Sequence, residues 1–359
     1  MDDLSRRLSA VRESNGGLVL LAGEAGVGKT RLAEESLAKS GLLNLQGRSN
    51  QEATPPYGPI VAVLRSYLRV EPDGFAVCGP LCEYLALLLP ELGPAADGGD
   101  QATLFEAIRC AFEAIANNKA AVVFLDDLQW ADNATLELMP ALVASLEAER
   151  LLIVGAYRSD EILRGHPIRR LRNELRRARK LHEISVEPLN LDDTAALATG
   201  ILGQAPSPAL ATTIHDKTLG VPFFVEELAS ALHGSGRLRP SDSGVELVPG
   251  ENVPIPETVR DAVLLRLDGL SDQAQTVLEV AAVAGLQFDL HMVVELAGEE
   301  DGLRDLIERS LITESEPGQG QFRHALSREA IYGEIIWTRR RALHRQIATR
   351  LQSDGAASE

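Results

Sequence analysis

Short apolar runs alternate with helical periods through the first half of the chain. Residues 17–23 (GLVLLAG) form an apolar run closed by glycine, and KTRLAEESLAKS behind it spaces its apolar residues as a helix does. Runs at 42–48 (LLNLQGR), 121–127 (AVVFLDD), 151–158 (LLIVGAYR) and 181–186 (LHEISV) predict four more strands. Between them, 59–70, 80–89, 101–116, 133–148 and the basic stretch 164–182 predict helices, with the turn-rich PELGPAADGGD separating two of them. Strands apolar on both faces and joined through helices predict a parallel sheet covered on both sides. After Pro188 the pattern turns helical, at 191–202, 207–218 and 222–233. The Gly-, Pro- and Ser-rich stretch 234–256 predicts a boundary with room for a small hairpin. Helices at 256–268, 271–284, 289–297 and 301–310 then lead to LITES, a turn, GQFRH and two final helices. Helices followed by a short hairpin suggest a winged-helix module, and no internal repeat is visible.

Length sets the scale: 359 residues have room for two or three domains with sizeable cores. No apolar run approaches the ~18–20 residues that span a bilayer, and the start, MDDLSRRLSAVRES, lacks the apolar segment of a secretory signal. A cytoplasmic protein with no membrane partner is expected. Three cysteines, Cys78, Cys82 and Cys110, cannot all pair with one another, and no histidine or further cysteine clusters with them, so small buried hydrophobes are expected.

Charge changes the picture at one place. The chain carries 35 basic and 52 acidic residues, net −17, which weighs against a surface that binds nucleic acid as a whole. Residues 164–182 reverse the sign, with eight Arg or Lys and one acid, Glu174. That stretch is either a solvated helix face or a docking surface for an acidic partner or neighbouring domain.

Gly23-x-x-x-x-Gly28-Lys29-Thr30 fits the phosphate-binding loop in full, in the required order of strand, loop and helix. Glu24, Ala25, Gly26 and Val27, with Arg31 beyond, complete the candidate cradle, whose backbone N–H groups converge on a phosphate at a helix N-terminus. Lys29 supplies a cation to the β/γ-phosphates and Thr30 a hydroxyl to Mg²⁺. Mg²⁺ needs a carboxylate opposite Thr30, and VVFLDDLQWAD offers one at a strand end. Asp126 is the candidate for the ion's water shell and Asp127 for polarising an attacking water, the alternative for both being a helix cap. Arg158, just past another apolar strand, can reach a γ-phosphate or can pair with Asp160 or Glu161 at the surface.

With these motifs in place, GEAGVGKTRLAEE, GRSNQEATPPYGP, VVFLDDLQWAD, GAYRSDE, HPIRRLRNEL, GVPFFVEEL and FRHALSREAIY follow an order that resembles the ATPase module of large ATP-binding LuxR-type regulators. Those regulators are STAND-class P-loop ATPases within the AAA-like superfamily, and the resemblance runs from about residue 4 to 352. It implies an α/β P-loop NTPase with a parallel sheet of order 5-1-4-3-2, an α-helical lid and a winged-helix domain. The expected divisions are 1–188, 189–250 and 251–359. It also implies that Gly220-Val221-Pro222 packs Pro222 on the adenine, where pattern alone gives a helix breaker. By the same resemblance His324 of the winged helix contacts the β-phosphate of ADP; read alone, it caps its own helix or packs on Tyr332. Two family features are not found: a Gly-Arg-Glu-like segment before the first helix, and the helical repeats and DNA-binding domain after the winged helix. The chain is therefore expected to be a fragment, a truncated product or a subunit working beside others.

Three functions fit a phosphate loop here. The first is a regulatory ATP/ADP switch with slow hydrolysis. The second is an AAA-type motor or loader acting on protein or DNA, which would want an arginine finger and a basic winged-helix face; RRRALHR (339–345) offers some of that charge. A small-molecule kinase is the weakest, because no acceptor pocket is recognisable. The switch is favoured, with other copies or an effector protein as partners and no sequence-specific DNA binding by this chain alone.

Overall fold

Alternate residues of the three inner strands of a five-stranded parallel sheet face two different cores. The computed structural model describes residues 2–51, 55–98, 100–241, 243–251, 253, 255–267, 269–309 and 311–357; residues 52–54 of the GRSNQEATPPYGP stretch, with 242, 252 and 254 of the linker, lie outside them. The chain divides into two units, Met1–Val186 and Glu187–Glu359.

In the first unit the strands are β1 (Gly17–Gly23), β2 (Leu43–Arg48), β3 (Ala121–Asp126), β4 (Leu151–Arg158) and β5 (Glu183–Ser185). Among the described residues they form one parallel sheet of order β2-β3-β4-β1-β5, the order 5-1-4-3-2 that the family resemblance implies. The helices are α1 (Asp2–Ala10), α2 (Lys29–Ser40), α3 (Gly58–Val70), α4 (Cys82–Leu85), α5 (Gln101–Asn118), α6 (Asn133–Ser145) and α7 (Pro167–Arg177). Leu18, Leu20, Val123, Leu125 and Ile153 point to the side covered by α3, α5, α6 and α7. Their neighbours Val19, Leu21, Val122, Phe124, Leu152 and Val154 point to the side covered by α1 and α2. A period of two on strands buried on both faces produces this division.

Two local expectations need correction. The helix expected over 80–89 is α-helical only at Cys82–Leu85, because Gly79 (φ 53°, ψ −126°) and Pro80 interrupt the turns before it. Helix α1 was not anticipated; Leu4, Leu8 and Val11 recur at helical spacing and bury against Ala33 and Leu37 of α2. The three cysteines are free thiols, and burial beside Cys110 pushes the Cys78 thiol pKa up. In the basic stretch, α7 buries Ile168, Leu171 and Leu175, while Arg172 pairs with Glu183 and Lys180 with Glu147.

The second unit contains α8 (Leu191–Leu202), α9 (Pro208–Thr218) and α10 (Pro222–Gly234), then the hairpin β6 (Leu238–Ser241) and β7 (Gly244–Leu247). It continues with α11 (Glu257–Leu265), α12 (Asp272–Ala284), β8 (Gln287–Asp289), α13 (Leu290–Ala297) and α14 (Glu300–Glu308). Strands β9 (Ile312–Glu316) and β10 (Gln319–Phe322), then α15 (Ala325–Glu334) and α16 (Trp337–Ala357), complete it. Strands β8, β10 and β9 make a three-stranded antiparallel sheet. Among the described residues no helix is long and apolar enough to cross a membrane.

Gly220, at the entry to α10, has a left-handed backbone (φ +73°), and a Cβ there would lie 1.9 Å from the carbonyl oxygen of Leu189. Its own carbonyl accepts the Leu189 N–H at 2.8 Å. Gly220→Ala is expected to destabilise the second unit, by about 1–2 kcal/mol for the left-handed alanine and about 1–3 kcal/mol for the overlap. Urea unfolding measures this, and an unchanged midpoint would contradict the close approach.

Candidate functional site

Parallel strands end together, so the chemistry-bearing residues are assembled by register. Gly23 of β1 lies opposite Arg158 of β4, and Arg48 of β2 opposite Asp126 of β3. All four stand at the carboxyl edge of the sheet, where open α/β sheets bind their ligands.

The loop from β1 enters α2 through Gly26 (φ 79°) and Gly28 (φ 96°, the N-cap), left-handed conformations that a side chain would strain. The first amides of α2 have no partner within the helix and present a positive end. Lys29 is only 7% exposed and its ammonium donates to the carbonyls of Gly23 at 3.0 Å and Glu24 at 2.8 Å. Burial lowers its pKa below the usual lysine range, opposed chiefly by the carboxylate of Asp160. Thr30 Oγ1 donates to Asp126 Oδ2 at 3.0 Å.

Asp126 is buried at the end of β3, and its Oδ1 accepts the N–H of Asp127 at 3.0 Å. Burial, and then the neighbouring charge of Asp127, pushes its pKa up. The pair Thr30 and Asp126 is a set of hard oxygens suited to Mg²⁺. Among the described residues no group of three or more His, Cys, Asp or Glu could hold a metal ion. A Mg²⁺ ion held by these two side chains would need further oxygen ligands, which phosphate and water usually supply.

Asp127 adopts a left-handed backbone (φ 55°, ψ 43°) and opens a single turn of 3₁₀ helix, Leu128–Trp130. Its Oδ2 accepts from Arg48 Nε at 3.1 Å and Nη2 at 3.0 Å, and its Oδ1 accepts from Gln129 Nε2 at 2.9 Å. Arg158 Nε stands 3.6 Å from Oδ1. The Arg158 guanidinium also donates to Glu161 at 2.7 Å and lies 4.7 Å over the Trp130 ring, so it makes the surface pairing as well as facing the site. The third aspartate of DDLQWAD is structural. Asp132 caps α6 by accepting from Thr135 N–H at 2.9 Å, and it also accepts the Tyr57 N–H at 3.1 Å.

The structure thus brings together the phosphate loop, Asp126, Asp127 and Arg158. Arg48 and Gln129 were not singled out from sequence, and Asp160, which is buried, was named only as a surface partner for Arg158. Arg48 had the same signal as Asp126, a charged residue ending a strand, whereas Gln129 had none beyond its nearness to Asp127. In the second unit, Pro222 opens α10 and His324 is the buried N-cap of α15. The His324 ring packs edge-on against Phe224, at 5.4 Å between centroids. Phe224 lies in the first turn after Pro222.

Residues 1–154 match the family described as AAA ATPase domain. A curated relative, an uncharacterized protein of Rhizobium meliloti (strain 1021), is 24% identical over 401 aligned positions, taking in 100% of this chain and 37% of that protein. The chain thus spans little more than a third of that relative's length. Among solved structures, a STAND protein with a tetratricopeptide repeat sensor from Pyrococcus horikoshii is 16% identical (TM-score 0.39; 97% of this chain, 45% of that one). The RuvB Holliday junction branch migration motor of Thermotoga maritima is also 16% identical (TM-score 0.43; 90% of each chain). The first unit has the parallel-sheet α/β fold of P-loop NTPases, with the AAA ATPase domain match within it.

Proposed function

We propose that this chain is a nucleotide-operated switch: it binds ATP or ADP at residues 23–31 and hydrolyses ATP slowly. The observation that supports slow hydrolysis best is the clamp on Asp127. Two Arg48 hydrogen bonds occupy Oδ2, and Oδ1, the oxygen that would take a proton from water, is itself held by Gln129 and faced by Arg158. In this reading the first amides of α2 and the Lys29 ammonium hold the β- and γ-phosphates. Thr30 and Asp126 hold Mg²⁺, which when bound neutralises charge on the transferred phosphoryl group. Asp127 orients and deprotonates the attacking water, and Arg158 faces the developing charge from the neighbouring strand.

The motif resemblance carries the finer assignment, to the ATPase module of LuxR-type STAND regulators acting in the cytoplasm with other copies or an effector protein. Residues 189–250 are read as the lid. Residues 251–359 are read as a winged helix, supported by the order α12, β8, α13, α14, β9, β10 and by the antiparallel sheet of β8, β10 and β9. Pro222 and His324 are the second unit's candidates for responding to the nucleotide.

The test is direct. Protein purified without added nucleotide and then denatured should release ADP, and its turnover should stay below about 1 s⁻¹, under the ordinary enzyme range. Steady turnover above that, with no retained ADP, would favour the motor.

A further inference from the structure

The turn that follows Asp127 contains a buried amide whose orientation is forced. Gln129 is 5% exposed. Its Oε1 accepts the backbone N–H of Arg158 at 3.0 Å, and its Nε2 donates to Asp127 Oδ1 at 2.9 Å. A backbone N–H can only donate and an ionised carboxylate can only accept, so the amide cannot be turned over without losing both bonds. The side chain thereby ties the end of β4 to the carboxylate at the end of β3.

The backbone of the same residue is anchored from the other direction. His166, the N-cap of α7, accepts the Ile168 N–H at Nδ1 (3.2 Å), which leaves the ring proton on Nε2. That nitrogen lies 3.0 Å from the Gln129 carbonyl oxygen and donates to it. Donors and acceptors therefore run in one direction, from the Ile168 amide through His166 and the Gln129 backbone, with the Gln129 side chain continuing to Asp127.

Asp127 needs such support. A non-glycine residue in the left-handed region persists only where its surroundings over-determine it. Of its two oxygens, Oδ2 receives two hydrogen bonds from Arg48 and Oδ1 receives one from Gln129. Arg158 Nε also faces Oδ1, but at 3.6 Å it is beyond hydrogen-bond reach, so among the described residues the Gln129 amide is the donor that fixes how Oδ1 is turned.

We propose that Gln129 is a positioning residue for Asp127, the amide that aims Oδ1 at the attacking water, with His166 holding the turn that aims it. The proposal rests on the reading of Asp127 as the hydrolytic carboxylate. The hydrogen bonds shown for Gln129 go to Asp127, Arg158 and His166, not to the phosphate loop or the Thr30–Asp126 pair, so its loss should act on the chemical step and not on nucleotide affinity.

The experiment is single-turnover ATP hydrolysis by the full chain at saturating protein, with the ATP dissociation constant and the melting temperature measured alongside. Gln129→Met keeps the length and removes both polar atoms. Its rate constant should fall about ten- to a hundredfold, the worth of one hydrogen bond to a charged group, with the dissociation constant within about twofold of wild type. His166→Ala should slow the same step less. The double variant should be little slower than Gln129→Met alone, because once the side-chain amide is gone the His166 bond to the Gln129 backbone has no amide left to aim. A Gln129→Met protein that folds and hydrolyses at the wild-type rate overturns the proposal, as does one that loses rate and affinity in parallel. If Gln129→Met does not fold, His166→Ala decides by the same two measurements. Asp127→Asn separates the two levels of inference: wild-type hydrolysis in that variant overturns the reading of Asp127 itself. Loss there with full activity in Gln129→Met overturns only the positioning role.

Discussion

Asp127→Asn should lower ATP hydrolysis by about 10²–10⁴-fold, the usual worth of general-base catalysis, while ATP still binds. An amide has one acceptor oxygen and one donor nitrogen where the carboxylate has two acceptors. Arg48 offers two donors to one side of Asp127, and Gln129 offers its NH₂ to the other. An asparagine that keeps its oxygen toward Arg48 must place NH₂ against NH₂ at Gln129. Gln129 cannot turn to relieve this, because its oxygen is already held by the Arg158 N–H. The variant therefore loses the base and the geometry together. The hydrogen bonds of Lys29 and Thr30 go elsewhere, Lys29 to Gly23 and Glu24 and Thr30 to Asp126, although Lys29 does sense the Asp127 charge. Calorimetry should find the affinity for Mg²⁺-ATP little changed, and phosphate release measures the rate. Asp126→Asn is the contrast, since it alters the carboxylate that Thr30 faces and should weaken the Mg²⁺-dependent part of binding. If Asp127→Asn loses affinity but hydrolyses whatever it binds at the normal rate, the two aspartates have been assigned the wrong way round.

How far the sequence revealed this site depended on whether a partner was near in the chain. The strands were legible because apolar runs bounded by glycine or charge end where strands end, and β4 falls on 151–158 as expected. The phosphate loop was legible because its glycines and lysine lie within eight residues. Arg48 was not, since the carboxylate it clamps lies 79 residues away and only the parallel pairing of β2 with β3 brings them together. Asp132 shows the reverse case. It belongs to the same motif as Asp126 and Asp127, yet its hydrogen bonds go to the first turn of α6 and to Tyr57, 75 residues away. Composition cannot tell a capping aspartate from one facing a phosphate loop. Helix α1 was hidden for another reason: three apolar residues at helical spacing in a polar stretch become a helix only when α2 offers a face to bury them.

Lys29→Ala should weaken ATP and ADP by one to two orders of magnitude, corresponding to a charge-assisted hydrogen bond of about 1.5–3 kcal/mol. Two features make this residue more than a surface cation. It is nearly buried at the start of α2, where the helix end already favours an anion, so its charge acts with little screening from water. Its ammonium is also bonded to the carbonyls of Gly23 and Glu24, so it braces the loop that presents the amides. The substitution removes both contributions, and Lys29→Met separates them from packing by keeping an unbranched stem of similar length. Met and Ala variants should lose affinity alike if the charge is what matters. ATP should suffer at least as much as ADP, because in the proposed binding mode a phosphate-loop lysine serves the γ-phosphate as well as the β-phosphate. Calorimetric titration of each variant with each nucleotide supplies the four constants. Affinity unchanged in both variants would mean that residues 23–31 do not hold the phosphates, and the assignment of Thr30, Asp126 and Asp127 around them would fall with it.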